Sequence, residues 1–219
     1  MILRALILLL ILSGAARAET VVAGLSQNRI SITANFDGSE IIIFGAVKRA
    51  SPIPEAPPLQ VVVTLEGPSE PVTVRRKERR FGIWMNTDGI EVDAAPTFYA
   101  VATTGDLEEV LTFTEDLRRQ VSIPQAIRAV GTGVLDQEVF IDALIRIREA
   151  DTLYQLNEGA VTLRDETLFD TTIRLPANLV EGDYRTRIFL LRNGEAIDVF
   201  VQDIVIDPLE IAVDFLLYP

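Results

Sequence analysis

The stretch DYRTRIFLLRNGEAIDVFVQDIVID, residues 183–207, decides how the fold is read. Asn193-Gly194 divides it into two apolar runs. Tight two-residue hairpin turns need positive φ at both central positions, which Asn tolerates and Gly adopts freely. Ahead of the turn, Tyr184, Thr186, Ile188 and Leu190 alternate with Arg185, Arg187 and Phe189, the period of a β-strand. The pattern predicts an antiparallel hairpin with the strongest turn signal in the chain. Glu181-Gly182-Asp183-Tyr184 leads into it and has the form of the tyrosine corner of immunoglobulin-like sandwiches, where the hydroxyl bonds nearby backbone. Tyr184 is therefore read as a structural tyrosine.

Working outward, more strands are expected on both sides. AVTLRDETLFDTTIRL (160–175) follows the Glu158-Gly159 turn. In the N-terminal half, RISITANF (29–36) alternates, and Asp37-Gly38 signals a hairpin into SEIIIFGAV (39–47). SPIPEAPP (51–58) is too proline-rich for a sheet interior and reads as a loop. LQVVVTLEG (59–67), PVTVRRK (71–77) and RFGIWMN (80–86) follow as strands, then a turn at Asn86-Thr87-Asp88-Gly89. PTFYAVATT (96–104) reads as a buried strand, with Tyr99 structural within it.

Helical patterns replace alternation from Asp106 to about Leu153, with a helix start expected at Pro124. The clearest helix is DQEVFIDALIRIREA (136–150). Val139, Phe140, Ala143, Leu144 and Ile147 share one of its faces, Asp136 can cap it, and Asp142 with Arg146 forms an i,i+4 pair. That stripe is expected to pack on a neighbouring sheet. The expected fold is mainly β, with immunoglobulin-like β-sandwich character in two β regions and a short helical segment between them. The expected divisions are a signal peptide at 1–18, an N-terminal β region at 19–105, a helical segment at 106–158 and a C-terminal β region at 159–219.

MILRALILLLILSGAARA (1–18) carries the parts of a secretory signal: Arg4, a short apolar run from Ala5 to Leu12, and Ala16-Arg17-Ala18 as a small-x-small cleavage site. The run is shorter than the roughly 20 residues a membrane-spanning helix needs. Cleavage is expected before Glu19, leaving 18 cations against 32 acids, a net charge of −14. The protein is expected in the periplasm.

The chain of 219 residues contains neither cysteine nor histidine. Disulfides, zinc-thiolate sites, thiol nucleophiles and histidine-based triads are thereby excluded, and no cofactor or metal is expected. A net charge of −12 argues against nucleic acid, whose binders present a basic face. Paired carboxylates are the catalytic option left, as in glycoside hydrolases. Asp88, Glu91 and Asp93 form one cluster, and Asp165-Glu166 sits in an expected turn. Asp37, Asp88 and Asp93 are the calcium candidates, although no stretch has the spacing of an EF-hand loop. Nothing in the sequence fixes an acid pair across a cleft, and no catalytic residue is assigned.

Against this acidic background, VTVRRKERRFGIWMN (72–86) stands out. Arg75, Arg76, Lys77, Arg79 and Arg80 lie just ahead of Trp84, the only tryptophan in the chain. Chain direction must reverse before Phe81 begins the next strand, so the cluster is expected at the end of a hairpin. It reads as a solvated tip, where charge also blocks edge-to-edge aggregation. The sharper alternative is an anionic contact, to phospholipid headgroups or to an acidic partner.

FGIWMNTDGIEVDAAPTFYAVATT (81–104), the 136–150 helix with EADTLYQLNEGAV (149–161), and ETLFDTTIRLPANLVEGDYRTRIFLLRNGEAI (166–197) resemble a family of alphaproteobacterial transmembrane proteins. With the signal peptide, the resemblance covers most of the chain, and no motif in it is catalytic. It implies an extracytoplasmic β-rich region followed by one C-terminal membrane helix just beyond IAVDFLLYP (211–219). That helix is not within these residues: either it follows Pro219, or this member is soluble. Phe215-Leu216-Leu217-Tyr218 suits either a membrane interface or a last edge strand. The resemblance also makes Trp84 a core residue, because the block around it reads as a buried strand. It implies a non-enzymatic, membrane-associated binding or accessory module with a membrane-protein partner, such as a transporter. The alternative is an extracytoplasmic ligand-binding protein or carboxylate-based glycoside hydrolase.

Overall fold

A computed structural model describes residues 19–32, 37–50, 52–54, 56–129 and 137–208. The expected signal peptide, Ala34 and Phe36, the Asp136 cap and the 215–218 tail lie outside the described residues. The fold is mainly β with a short helical segment. β1 (Glu19–Leu25), β3 (Ser39–Arg49), β10 (Leu168–Leu175) and β9 (Thr162–Arg164) form a four-stranded sheet in the order β1-β3-β10-β9. A six-stranded sheet runs β2-β12-β11-β4-β7-β8, from β2 (Arg29–Ile32), β12 (Glu195–Pro208), β11 (Gly182–Arg192), β4 (Leu59–Glu66), β7 (Tyr99–Thr103) and β8 (Tyr154–Asn157). Among the named strands, β5 (Ser69–Arg80) and β6 (Ile83–Pro96) pair only with each other. The stretches 19–105 and 159–219 each supply strands to both larger sheets.

The predicted hairpin at 183–207 is the centre of the six-stranded sheet. β11 pairs antiparallel with β12 on one side and β4 on the other. Ile188, Leu190 and Leu191 in β11, and Val61, Val62 and Val63 in β4, are fully buried. Consecutive buried residues mean that both faces of these strands are covered. One face joins the core that also contains Ile41, Ile43, Phe169 and Ile173 of the four-stranded sheet. Val110, Leu111, Val121 and Ile123 of the helical segment belong to the same cluster. Tyr184 closes the entrance to β11: its hydroxyl donates to the Val180 carbonyl at 2.8 Å, and its ring lies 6.1 Å from that of Phe98. Gly182 just before it has φ +140°, a backbone only glycine adopts readily.

Three local expectations change. Asp37-Gly38 does not join a hairpin, because β2 lies parallel to β12 in one sheet while β3 pairs with β1 and β10 in the other. Both edges of β3 are already taken, so β2 finds its partner across the core. Asn86-Thr87-Asp88-Gly89 is not a turn. It lies within β6, where Arg76 faces Asp88 and Lys77 faces Asn86, leaving Thr87 as the extra residue of a bulge. Phe81 does not begin a strand but sits in the β5–β6 turn.

The helical segment holds α1 (Leu107–Val110), α2 (Phe113–Arg119), α3 (Ile123–Ala126) and α4 (Gln137–Ala150). Pro124 lies in the first turn of α3, as expected of a residue with preset φ and no N–H to satisfy. On α4 the predicted stripe narrows. Phe140 and Leu144 are buried and Ala143 is partly so, whereas Val139 and Ile147 are exposed. Ile141 and Ile145 instead complete the packed face. The helix rests on the base of β5–β6 and on β8, and the narrow ribbon covers less of it than a full sheet would.

Candidate functional site

Among the described residues, the outer half of the β5–β6 ribbon is left uncovered by the rest of the fold, as is the face of the four-stranded sheet that carries Val22, Ile42, Phe44 and Leu168. The base of the ribbon is held firmly. Val74, Ile90 and Val92 are buried in the common core, and the Arg76 guanidinium lies 5.0 Å over the Phe140 ring of α4. Ala94 and Arg128 exchange backbone hydrogen bonds of 3.1 and 2.8 Å, tying β6 to the segment after α3. Beyond the Val74–Ile90 pair the ribbon continues with both edges unpaired, and most of its residues are exposed.

Strand register sorts the side chains, because residues directly opposite in an antiparallel pair share a face. Arg79 faces Trp84, Lys77 faces Asn86, and Arg75 faces Gly89. One face therefore carries Arg75, Lys77 and Arg79 at successive alternate positions, with Trp84 beside the last. The other carries Arg76, Glu78 and Arg80 opposite Asp88, Met85 and Ile83. Arg80 is 3.3 Å from the Glu78 carboxylate, and the Arg79 Nε–H donates to the Gly82 carbonyl at 3.4 Å. Among the described residues, Arg75, Lys77 and Arg79 have no carboxylate within ion-pair distance.

The turn is Phe81-Gly82, with φ of +52° and +84°. Positive φ at both positions is the geometry in which Asn-Gly is favoured and a bulky aromatic is an outlier. Phe81 is fully exposed there, and Ile83, Trp84 and Met85 are 67%, 68% and 51% exposed. Trp84 is thus not a core residue. The alternation around it is that of a strand, but no second layer covers the strand at that point. Phe81, Ile83 and Met85 escaped the sequence reading, although a run of large apolar residues straight after a charged cluster and beside a glycine was a usable signal.

Tyr99 and Tyr184 are both buried and hydrogen-bonded within the fold. Tyr99 is buried; its hydroxyl donates to the Val121 carbonyl at 2.9 Å and accepts from the Arg187 guanidinium at 2.9 Å. Burial pushes the Tyr99 hydroxyl well above the usual phenol range and that of Tyr184 up to about 12. Arg187 itself donates to the Arg119 and Gln120 carbonyls at 2.7 and 2.8 Å, locking β11 to the end of α2.

The candidate carboxylates fall into separate places. Asp88 and Glu91 lie on opposite faces of the ribbon. Asp165 and Glu166 occupy the β9–β10 turn, and Glu166 is engaged: its carboxylate is 3.0 Å from Arg192, and its carbonyl accepts from Arg49. Glu19 completes this cluster, accepting from Arg192 at 2.8 and 2.9 Å and from Arg49. Arg192, with Arg49 behind it, holds the buried Glu19 carboxyl down at about 2, against the upward pull of burial. The cluster joins β1, β3, β11 and the β9–β10 turn. Sequence reading missed it because its four members are far apart in the chain. Among the described residues no three acidic groups are placed to hold a metal, so Asp37, Asp88 and Asp93 do not converge on one. An open depression of about 970 Å³ between the helical segment and β8 is lined by Asp106, Glu109, Phe113, Ile145 and Glu158, none of them a candidate from the sequence.

No helix among the described residues is long and apolar enough to cross a membrane. No curated protein matches the chain. Among solved structures it is similar to the sporulation control protein Spo0M from Bacillus subtilis, with 10% identity and a TM-score of 0.29 over 87% of this chain. This chain spans 49% of that one, about half its length, and so remote a likeness bears on neither fold nor function. The family comparison is of another order. One family model matches residues 20–212, taking in both larger sheets, the helical segment and the whole basic ribbon, and the chain belongs to the family that this model describes, "Putative transmembrane protein (Alph_Pro_TM)".

Proposed function

We propose that the protein is a non-enzymatic binding module of the cell envelope, exported by its N-terminal signal and working at the membrane as an accessory to a membrane component such as a transporter. The observation that carries this reading is the ribbon. A chain of net charge −12 concentrates five cations and four exposed large apolar side chains at one end of a projecting hairpin. A folded chain gains nothing from exposing Phe81, Ile83, Trp84 and Met85 together, since contiguous apolar surface marks a contact site. Membership of a transmembrane-protein family supports placing that contact at the membrane. The Tyr184 corner supports reading the body as an immunoglobulin-like scaffold, whose buried ion pairs and tyrosines leave binding, rather than chemistry, to the ribbon.

Photocrosslinking in cells that export the protein tests this. A photoreactive residue at position 84 should give adducts to a membrane component, protein or lipid. The same residue at position 185, exposed on the body, should give far fewer. In a chain ended at Pro219, deleting residues 77–86 should release the protein from the membrane fraction. Retention of the deleted form at the membrane, or equal adducts from both positions, would overturn the reading.

A further inference from the structure

We infer that the tip of the β5–β6 ribbon inserts shallowly into an anionic phospholipid bilayer, with the cations behind it contacting lipid headgroups. This deepens the proposed membrane role and rests on it. The first support is the distribution of the apolar side chains. Ile83 and Met85 are on one face of the ribbon, Trp84 is on the other, and Phe81 is at the turn between them. A groove on a partner protein covers one face of a ribbon, whereas a tip with large apolar side chains on both faces suits an isotropic apolar medium.

Depth is the second support. From the turn to the Glu78–Met85 pair the ribbon rises about 10 Å, the depth to which interfacial elements sink. It can go little further, because both its edges carry unpaired backbone groups that hydrocarbon cannot satisfy. Arg79 and Arg80 pair with Trp84 and Ile83 and are long enough to reach back to the headgroup layer. Lys77 and Arg75 follow at alternate positions on the Trp84 face. Arg79 and Arg80 are thus level with the apolar side chains, and Lys77 and Arg75 form a collar behind them.

Charge placement is the third. Arg75 to Met85 contains five cations and one carboxylate, whereas the rest of the chain contains 15 cations and 31 acids. A negative surface attracts the tip and repels the body. Seven residues separate Phe81 from Val74, where the ribbon joins the body, a rise of about 23 Å. With the tip sunk by about 10 Å, about 13 Å of ribbon stays outside the membrane, more than the Debye length of about 8 Å at physiological salt, so screening weakens the repulsion of the body.

The turn residue is the fourth. Asn193-Gly194 closes the other long hairpin with φ of +52° and +75°, nearly the same backbone as Phe81-Gly82. At the tip the chain carries an aromatic where Asn would sit with less strain, and nothing lies within 4 Å of where a Cβ on Gly82 would be. Local strain is kept at that position for a side chain with no partner in the fold, which fits an external apolar contact.

Trp84, the chain's only tryptophan, is a built-in reporter. The purified exported protein is titrated with vesicles of phosphatidylglycerol and phosphatidylcholine, and with phosphatidylcholine alone. The anionic vesicles should move Trp84 emission to the blue and expose it to brominated acyl chains. Salt should weaken the effect, and phosphatidylcholine alone should give little. Reversing three charges (Arg75→Glu, Lys77→Glu, Arg79→Glu) should weaken partitioning at least about a hundredfold, because each cation contributes about fivefold near an anionic surface. Its Tm should change by only a few degrees. Phe81→Ser with Ile83→Ser keeps Trp84 and the charge, and should lose the blue shift more than the salt-sensitive attraction. No spectral change in the unaltered protein on anionic vesicles would overturn the inference, whatever the variants do. So would equal binding to both vesicle types, or binding unaffected by the charge reversal. Crosslinks from position 84 to a membrane protein alone, without vesicle binding, would overturn lipid insertion and leave the proposed function standing.

Discussion

The β11–β12 and β5–β6 hairpins turn through nearly the same backbone and are used in opposite ways. Asn193 and Phe81 both have φ +52°, each followed by a glycine at positive φ. The Gly194 turn is docked: its carbonyl accepts from the Thr112 amide and hydroxyl, both at 3.0 Å, and a Cβ there would meet Thr112 at 2.6 Å. A Cβ at Gly82 would meet nothing within 4 Å. The cations follow the same division. In β11, Arg187 and Arg192 are desolvated, with their donors met by carbonyls, a tyrosine hydroxyl and carboxylates. In β5, Arg75 and Lys77 remain in water. A strand sequence with alternating arginines therefore does not say whether it is core or surface. What decides is whether another layer is present to answer the charges.

The largest expected effect breaks the buried side of this comparison. Glu19→Gln leaves Arg192 and Arg49 without their shared carboxylate inside the protein. It should cost about 3 kcal/mol, since each unit of pKa shift is worth about 1.4 kcal/mol and the removal of one partner of a buried pair costs about 3–5 kcal/mol. Chemical denaturation at neutral pH measures it. The same carboxyl sets an acid window. It titrates at about 2 in the folded protein against an ordinary 4.5, so the unfolded chain binds the proton first. Its contribution is complete above about pH 4.5 and drains away as pH falls towards 2. Stability followed across that range should fall less steeply in Glu19→Gln than in the unaltered protein. Parallel profiles would show that the pair is not coupled to folding.

A smaller effect tests how β11 is entered. Tyr184→Phe removes one hydroxyl that donates to Val180 and leaves the ring in place. A loss of about 1 kcal/mol is expected, the net worth of one hydrogen bond. A loss several times larger would mean that the corner organises more of the hairpin than a single bond.

The smallest effect sharpens the comparison by making the two turns alike. Phe81→Asn gives the ribbon the turn residue that β11–β12 already has. It should raise stability by about 0.5–1 kcal/mol, because Asn accepts positive φ at lower cost than an aromatic residue and no packing is lost. The same variant should bind anionic vesicles more weakly. Stability gained while binding falls would show that Phe81 is kept for contact. Stability lost would mean that the ring packs on something in the folded protein.

Much of the β architecture was legible because its signals are local. Asn193-Gly194 predicts a hairpin from φ preferences alone, and the approach to Tyr184 predicts a corner from a few neighbouring residues. The 136–150 helix follows from its spacing, and the absence of cysteine and histidine removes whole classes of chemistry. The proposed location in the envelope rests on MILRALILLLILSGAARA and on family membership. What the sequence could not decide depends on which surfaces meet. Trp84 reads as core because a strand pattern specifies alternation and not the number of layers over it. Asp37-Gly38 reads as a hairpin because turn chemistry is blind to whether the edges of β3 are already occupied. Glu19, Arg49, Glu166 and Arg192 are four ordinary charges until β1, β3, β11 and the β9–β10 turn bring them together across more than a hundred residues of chain. Periodicity and turn preference are properties of a few neighbouring residues. Burial is a property of the assembled sheets, and here it separates the arginines that hold the fold from those that face outward.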